Sequence, residues 1–133
     1  MDRKETSDFW VGIFNNQDDF YAFVGENPDY YNEDDGSETK YISTFAESQG
    51  QGWIDHDFME VGYNSDETDF ATRFTGHSYA DQWISEIAGR VSSLGLGGVN
   101  AIIMVTKGLI KEPKSVVRDN FVLTHVGNVE YPI

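Results

Sequence analysis

Apolar and polar positions alternate along this chain with two distinct periods. Phe9-Trp10-Val11-Gly12-Ile13-Phe14 is an unbroken apolar run and predicts a first, largely buried strand. Asn15 or Asn16 then offers a side-chain oxygen to cap a helix, with Asp18 and Asp19 in the first turn, where the helix dipole favours acids. Phe20, Phe23 and Val24 follow at i, i+3, i+4 and give that helix one apolar face, and Gly25 and Pro28 end it. A second helix is expected from a cap at Ser37 to about Gln49, with Ile42, Phe45 and Ala46 inward and Gly50 or Gly52 as its stop. The third has the clearest pattern: Ser78 at the cap, Asp81 three places on, then Trp83, Ile84, Ile87, Val91 and Leu94 at helical spacing.

Between these helices, Trp53 to Glu60 alternates apolar and charged residues, which fits a short strand or an irregular ordered segment, and 64–68 is expected to be a loop. Val99 to Thr106 is rich in β-branched residues and predicts a central strand. Asn120 to Val126 and Val129 to Tyr131 suggest a closing hairpin around Gly127-Asn128. The expected fold is α+β, a small, mostly antiparallel sheet with about three helices packed on it. It is expected to be one domain over residues 1–133, with 1–7 flexible.

Charge changes this picture most. Fifteen of the 23 Asp and Glu lie between Asp18 and Asp69 with a single base, Lys40, so that this stretch carries −14 and the remaining 81 residues sum to zero. Like charges gathered this way destabilise a compact state by self-repulsion, which points to a use for them. Tyr and Trp are interspersed among them, and anchors to desolvate beside charges to steer are what a protein-binding face needs. The alternative is a solvated acidic face that serves only solubility. Phosphates would be repelled, so direct nucleic-acid binding is disfavoured and a basic protein partner is favoured. The chain has no cysteine, hence no disulfide framework or thiolate metal site, which fits a reducing cytoplasm. No secretory signal is visible, and the longest apolar run, near Ala101 to Val105, is far too short for a membrane span.

Candidate chemistry is sparse. Gly76-His77-Ser78-Tyr79-Ala80 approaches the nucleophile elbow of α/β-hydrolases, with Phe70 to Thr75 as a possible preceding strand and Asp119 and His125 following in the right order. Ala80 replaces the final glycine, the stretch before Gly76 is polar, and Ser78 is already accounted for as a helix cap, so a small serine hydrolase is a remote alternative. Asp55-His56-Asp57 with His77 carries metal-ligand side chains without a metal-site spacing. The acidic loop at Asp29 to Gly36 resembles a calcium loop in composition only: with Gly36 at the sixth position, Tyr31 is first and Ile42 twelfth, where ligating acids are required. Gly95-Leu96-Gly97-Gly98 lacks the lysine of a phosphate loop. No cofactor or metal site is expected.

Several segments together carry a family likeness: Trp10 to Phe14, Phe45-Ala46, Trp53-Ile54-Asp55-His56-Asp57-Phe58-Met59-Glu60, Gly76 to Tyr79, Asn100 to Ile103, and Val126 to Tyr131. The chain resembles the immunity protein 22 family of bacterial polymorphic toxin systems from about Phe9 to Tyr131, most specifically in its Trp-x-Asp-His-Asp-Phe segment. The resemblance implies an α+β fold and a non-enzymatic cytoplasmic protein that binds and neutralises a cognate toxin. Combined with the charge map, it implies a basic, nuclease-like toxin. A DNA mimic or other acidic regulator of a nucleic-acid-binding protein is the alternative. The expected partner-binding residues form two groups: Trp53, Asp55, His56, Asp57, Phe58 and Glu60 around aromatic anchors, and Glu33, Asp34, Asp35 and Glu38 on a loop.

Overall fold

A computed structural model describes residues 3–28, 30, 41–66 and 69–133. Five strands, β1 (Lys4–Phe14), β2 (Met59–Tyr63), β3 (Ala101–Thr106), β4 (Val116–Arg118) and β5 (Phe121–Pro132), form one antiparallel sheet in the order β2-β3-β1-β5-β4. The expected α+β class is therefore observed, with four helices where about three were expected, and they cover both faces. α1 (Gln17–Val24) and α2 (Thr44–Ser48) enclose one core with Trp10, Phe14, Ile103, Val105 and Leu123. α3 (Phe70–Phe74) and α4 (Ala80–Ser93) enclose a second with Phe9, Val11, Ile102, Met104, Val129 and Tyr131. The two lists alternate along β1 and β3, which is why Phe9 to Phe14 and Ala101 to Val105 are apolar runs: each lies inside the sheet and packs on both faces.

Several boundaries differ from expectation. β1 begins at Lys4, and residues 4–7, expected to be flexible, pair with Pro132 to Val129 of β5. The helix expected to run from Ser37 to Gln49 starts only after Ser43, whose hydroxyl accepts the Ala46 N–H at 3.0 Å; the cap foreseen at Ser37 lies outside the described residues. Phe70 to Thr75, considered as a strand, contains α3, capped by Asp69. Ser78 does not cap α4. Tyr79 holds that position with φ 56°, in the left-handed region, and makes no side-chain cap. Leu94, expected inward, is exposed past the end of the helix, while Trp83, Ile84, Ile87 and Val91 are buried.

The expected closing hairpin is absent. β5 runs unbroken from Phe121 to Pro132, and the tight turn lies earlier, between β4 and β5. Asp8 faces Asn128 while Trp10 faces His125, so Val126 and Gly127 together oppose Phe9. This is a β-bulge, with Gly127 at φ 93°. Arg90 of α4 fills it, donating from Nη1 to the carbonyls of Val126 at 2.9 Å and Asn128 at 3.0 Å. The extra residue reverses the alternation of β5. Leu123 faces the α1/α2 core, whereas Val129 and Tyr131, also odd-numbered, face α4. A phase reversal at a glycine has the same sequence pattern as two strands joined by a turn, which is why a hairpin was expected.

Candidate functional site: an acidic cleft at the β2 edge

The segment expected to bind a partner leads into edge strand β2. Ile54 is buried and fixes it to the α1/α2 core. The Asp55 carboxylate accepts the Asp57 N–H at 3.0 Å and caps a short 3-10 turn, His56–Phe58. His56 is turned inward. Its Nδ1 lies 3.0 Å from the Ile54 carbonyl and its Nε2 3.3 Å from the Val24 carbonyl at the end of α1, with the Glu26 carboxylate 3.7 Å from Nδ1. This histidine anchors the turn. Trp53 is 48% exposed and Phe58 56%, large values for aromatic side chains, and Asp57 is exposed between them in sequence.

Glu60, first of the β2 side chains to face α4, makes the tightest polar contact at this edge. Its Oε2 lies 2.7 Å from His77 Nδ1 and accepts the Ser78 N–H at 2.9 Å. Burial alone would raise its pKa, but the Ser78 and His77 hydrogen bonds outweigh this and hold the carboxyl below its ordinary value, hence ionised. Gly62 makes room for the imidazole: a Cβ there would lie 2.3 Å from His77 Nε2. The His77–Glu60 pair thus sets where the chain turns into α4, and Tyr79 leaves that turn 47% exposed.

Asp57, Phe58 and Glu60 meet Tyr79, Glu5, Ser7, Met104 and Tyr131 around a cleft of about 220 Å³. The floor is fixed. Tyr131 is buried and its hydroxyl pairs with Ser7 Oγ at 2.9 Å, while Glu5 Oε1 accepts from Thr106 Oγ1 at 3.2 Å. Burial raises the Tyr131 pKa; the Ser7 hydrogen bond opposes the rise, and the negative charges of Glu5 and Glu60 add to it. Of the expected partner-binding residues, Asp57, Phe58 and Glu60 line this cleft, Trp53 and Asp55 precede it in the chain, and His56 is structural. Glu33, Asp34, Asp35 and Glu38 lie outside the described residues. Sequence reasoning missed Tyr79, Glu5 and Tyr131. They come from strands and a helix start far apart in the chain, and only the polar pair Glu5 and Ser7, at same-face spacing, gave a hint.

Nine acids of the 18–69 stretch are described, and among the described residues none forms a salt bridge with a lysine or arginine; Glu26 faces the His56 imidazole and Glu60 that of His77. The elements of the nucleophile elbow do not assemble: a helix precedes Gly76, and His125 bonds Asp8 through Nε2 at 3.1 Å. Among the described residues no group of three or more His, Asp or Glu is arranged to hold a metal, and no helix is long and apolar enough to cross a membrane.

The fold and this edge define an α+β domain with a carboxylate-lined, aromatic-rimmed cleft. Its family is specific: residues 8–132 match the family described as Immunity protein 22, and the chain belongs to it. No curated protein and no solved structure matches the chain. Membership carries a toxin-neutralising role and a cognate toxin as partner.

Proposed function

We propose that this protein acts in the cytoplasm, without catalysis, by occluding a basic, nuclease-like toxin with the acidic face that runs from Trp53 into β2. The observation that carries this is the exposure of Phe58 on a turn fixed by Asp55 and His56, and of Trp53 just ahead of that turn. Large apolar rings held in water on a rigid turn are suited to desolvation by a partner. Asp55, Asp57 and Glu60 lie close to them in the chain, without a salt bridge to lysine or arginine among the described residues, and such groups steer a cationic surface into place. Asp55, Asp57 and Glu60 act around the anchors and slow dissociation. Glu33, Asp34, Asp35 and Glu38 act at longer range and speed association.

The test is binding kinetics against the toxin domain whose growth inhibition this chain relieves, at low and high salt. Trp53→Ala with Phe58→Ala is expected to weaken binding by about 30-fold or more, mostly through dissociation. Asn and Gln replacements at positions 33, 34, 35 and 38 are expected to slow association at low salt and matter little at high salt, where exposed charges are screened. Unchanged kinetics in both sets would place the binding face elsewhere.

A further inference from the structure

We infer that the cleft between Phe58 and Tyr79 is the seat of one arginine side chain presented by the toxin. This deepens the proposed function and rests on it for the identity of the partner, though not for the chemistry of the site. The cleft is about 220 Å³, below the size range of sites for drug-sized ligands, and suits one long side chain better than a folded segment. Three carboxylates, Glu5, Asp57 and Glu60, line it, and among the described residues no lysine or arginine does. Two of its lining side chains are the exposed rings of Phe58 and Tyr79.

Charge and ring chemistry together select the occupant. A neutral side chain would leave the carboxylates facing one another, and an anion would be repelled. A cation gains from the carboxylates and from the negative faces of the two rings. Between the two cationic side chains, guanidinium fits better. It is planar, stacks on aromatic faces, presents a fork of donors to carboxylates and gives up its hydration more readily than an ammonium. Both bonds that Glu60 receives from His77 and Ser78 run to Oε2, so that this carboxylate is oriented before any partner arrives. The Ser7–Tyr131 bond likewise pairs the hydroxyls of the floor with each other. The cleft is therefore built in advance, and its unmet requirement is positive charge.

Two measurements test this. In the first, capped arginine and capped lysine amides are titrated into the isolated protein and followed by backbone amide shifts. Arginine is expected to give saturable shifts confined to Phe58, Glu60, Ser78 and Tyr79, at least about threefold tighter than lysine. Tyr79→Gly and Glu5→Gln should each weaken it by about fivefold or more. Tyr79→Gly removes the ring, while its left-handed backbone suits glycine, so the fold is retained. Equal lysine binding overturns the choice of arginine. Unsaturable shifts spread over Asp18, Glu47, Asp66 and Asp69, or indifference to Tyr79→Gly, overturn the site. In the second, the same variants are tested against the relieved toxin, where Tyr79→Gly should speed dissociation by about tenfold or more. A toxin that binds both variants like the wild type overturns the arginine seat and leaves the immunity role standing. Saturable arginine binding in a chain that relieves no toxin supports the seat and removes the toxin as its partner.

Discussion

The sheet carries opposite charge at two places, and the two are held in different ways. Along the route into β2, acids alternate with aromatics, the backbone caps itself through Asp55, and Trp53 and Phe58 stay in water. Between β3 and β4, the connection bearing Lys107, Lys111 and Lys114 is fixed by borrowed amides. Gln49 exchanges two hydrogen bonds with the Lys114 backbone at 3.0 and 2.7 Å, and Gln51 bonds Leu109 and Lys111, both at 2.7 Å. Trp10 Nε1 also donates to the Lys114 carbonyl at 3.0 Å, and Ile110 is buried beneath. The lysine-bearing loop is thus part of the scaffold. Its backbone is satisfied by buried groups, and the exposed apolar residues beyond it, Val117 and Val122, are aliphatic. Charge of either sign can sit on a surface at little cost; the acidic edge differs in combining it with exposed rings on a rigid turn.

If that contrast holds, stability is sensitive at the scaffold and binding is sensitive at the acidic edge. The largest stability effect is expected under α4: Ile87→Ala should cost about 2–5 kcal/mol in chemical denaturation, because Ile87 is fully buried against the sheet. The double change at Trp53 and Phe58 should alter stability by less than about 1 kcal/mol, and a larger loss would make that turn structural. Gln49→Ala should cost about 1–3 kcal/mol by leaving the Lys114 N–H without its acceptor, with no change in toxin dissociation. Ser43→Ala should cost about 0.5–2 kcal/mol in chemical denaturation through loss of the α2 cap.

The smallest effect is on pH dependence. Glu60 is held below its ordinary value of 4.5, so its contribution to stability is complete above that pH and is lost as pH falls through the lower folded value. His77, Asp57, Glu5, Tyr79 and Tyr131 are the titratable groups around it. Glu60→Gln should flatten the acid limb of the stability profile below about pH 4.5 and leave its neutral region nearly flat, as checked by denaturation midpoints across pH.

The fold was legible where one periodicity runs unbroken. The apolar runs of β1 and β3 and the Trp83-Ile87-Val91 spacing of α4 each identified an element and its buried residues. Boundaries were lost where a residue type serves two purposes. Ser78 has the composition of a cap, but its N–H is taken by Glu60 and the chain enters the helix one residue later through a strained tyrosine. Gly127 has the composition of a turn and supplies a bulge. The acidic edge was legible as composition, and of the expected residues Asp57, Phe58 and Glu60 line one cleft. The cleft itself was not, because Glu5, Tyr79 and Tyr131 join it through sheet register and one helix start, neither of which has a local sequence signal.

The bulge at Gly127 also makes this protein unequally tolerant of two kinds of genetic change. Single substitutions after it alter one side chain at a time. A one-residue deletion at Val126 or Gly127 would instead turn over every residue from Asn128 onward, carrying Tyr131 away from Ser7 and presenting a neighbour to the cleft in its place. Length is therefore constrained where Arg90 of α4 meets β5, and a lineage diversifying its partner can do so by replacement but not by indels at this bulge.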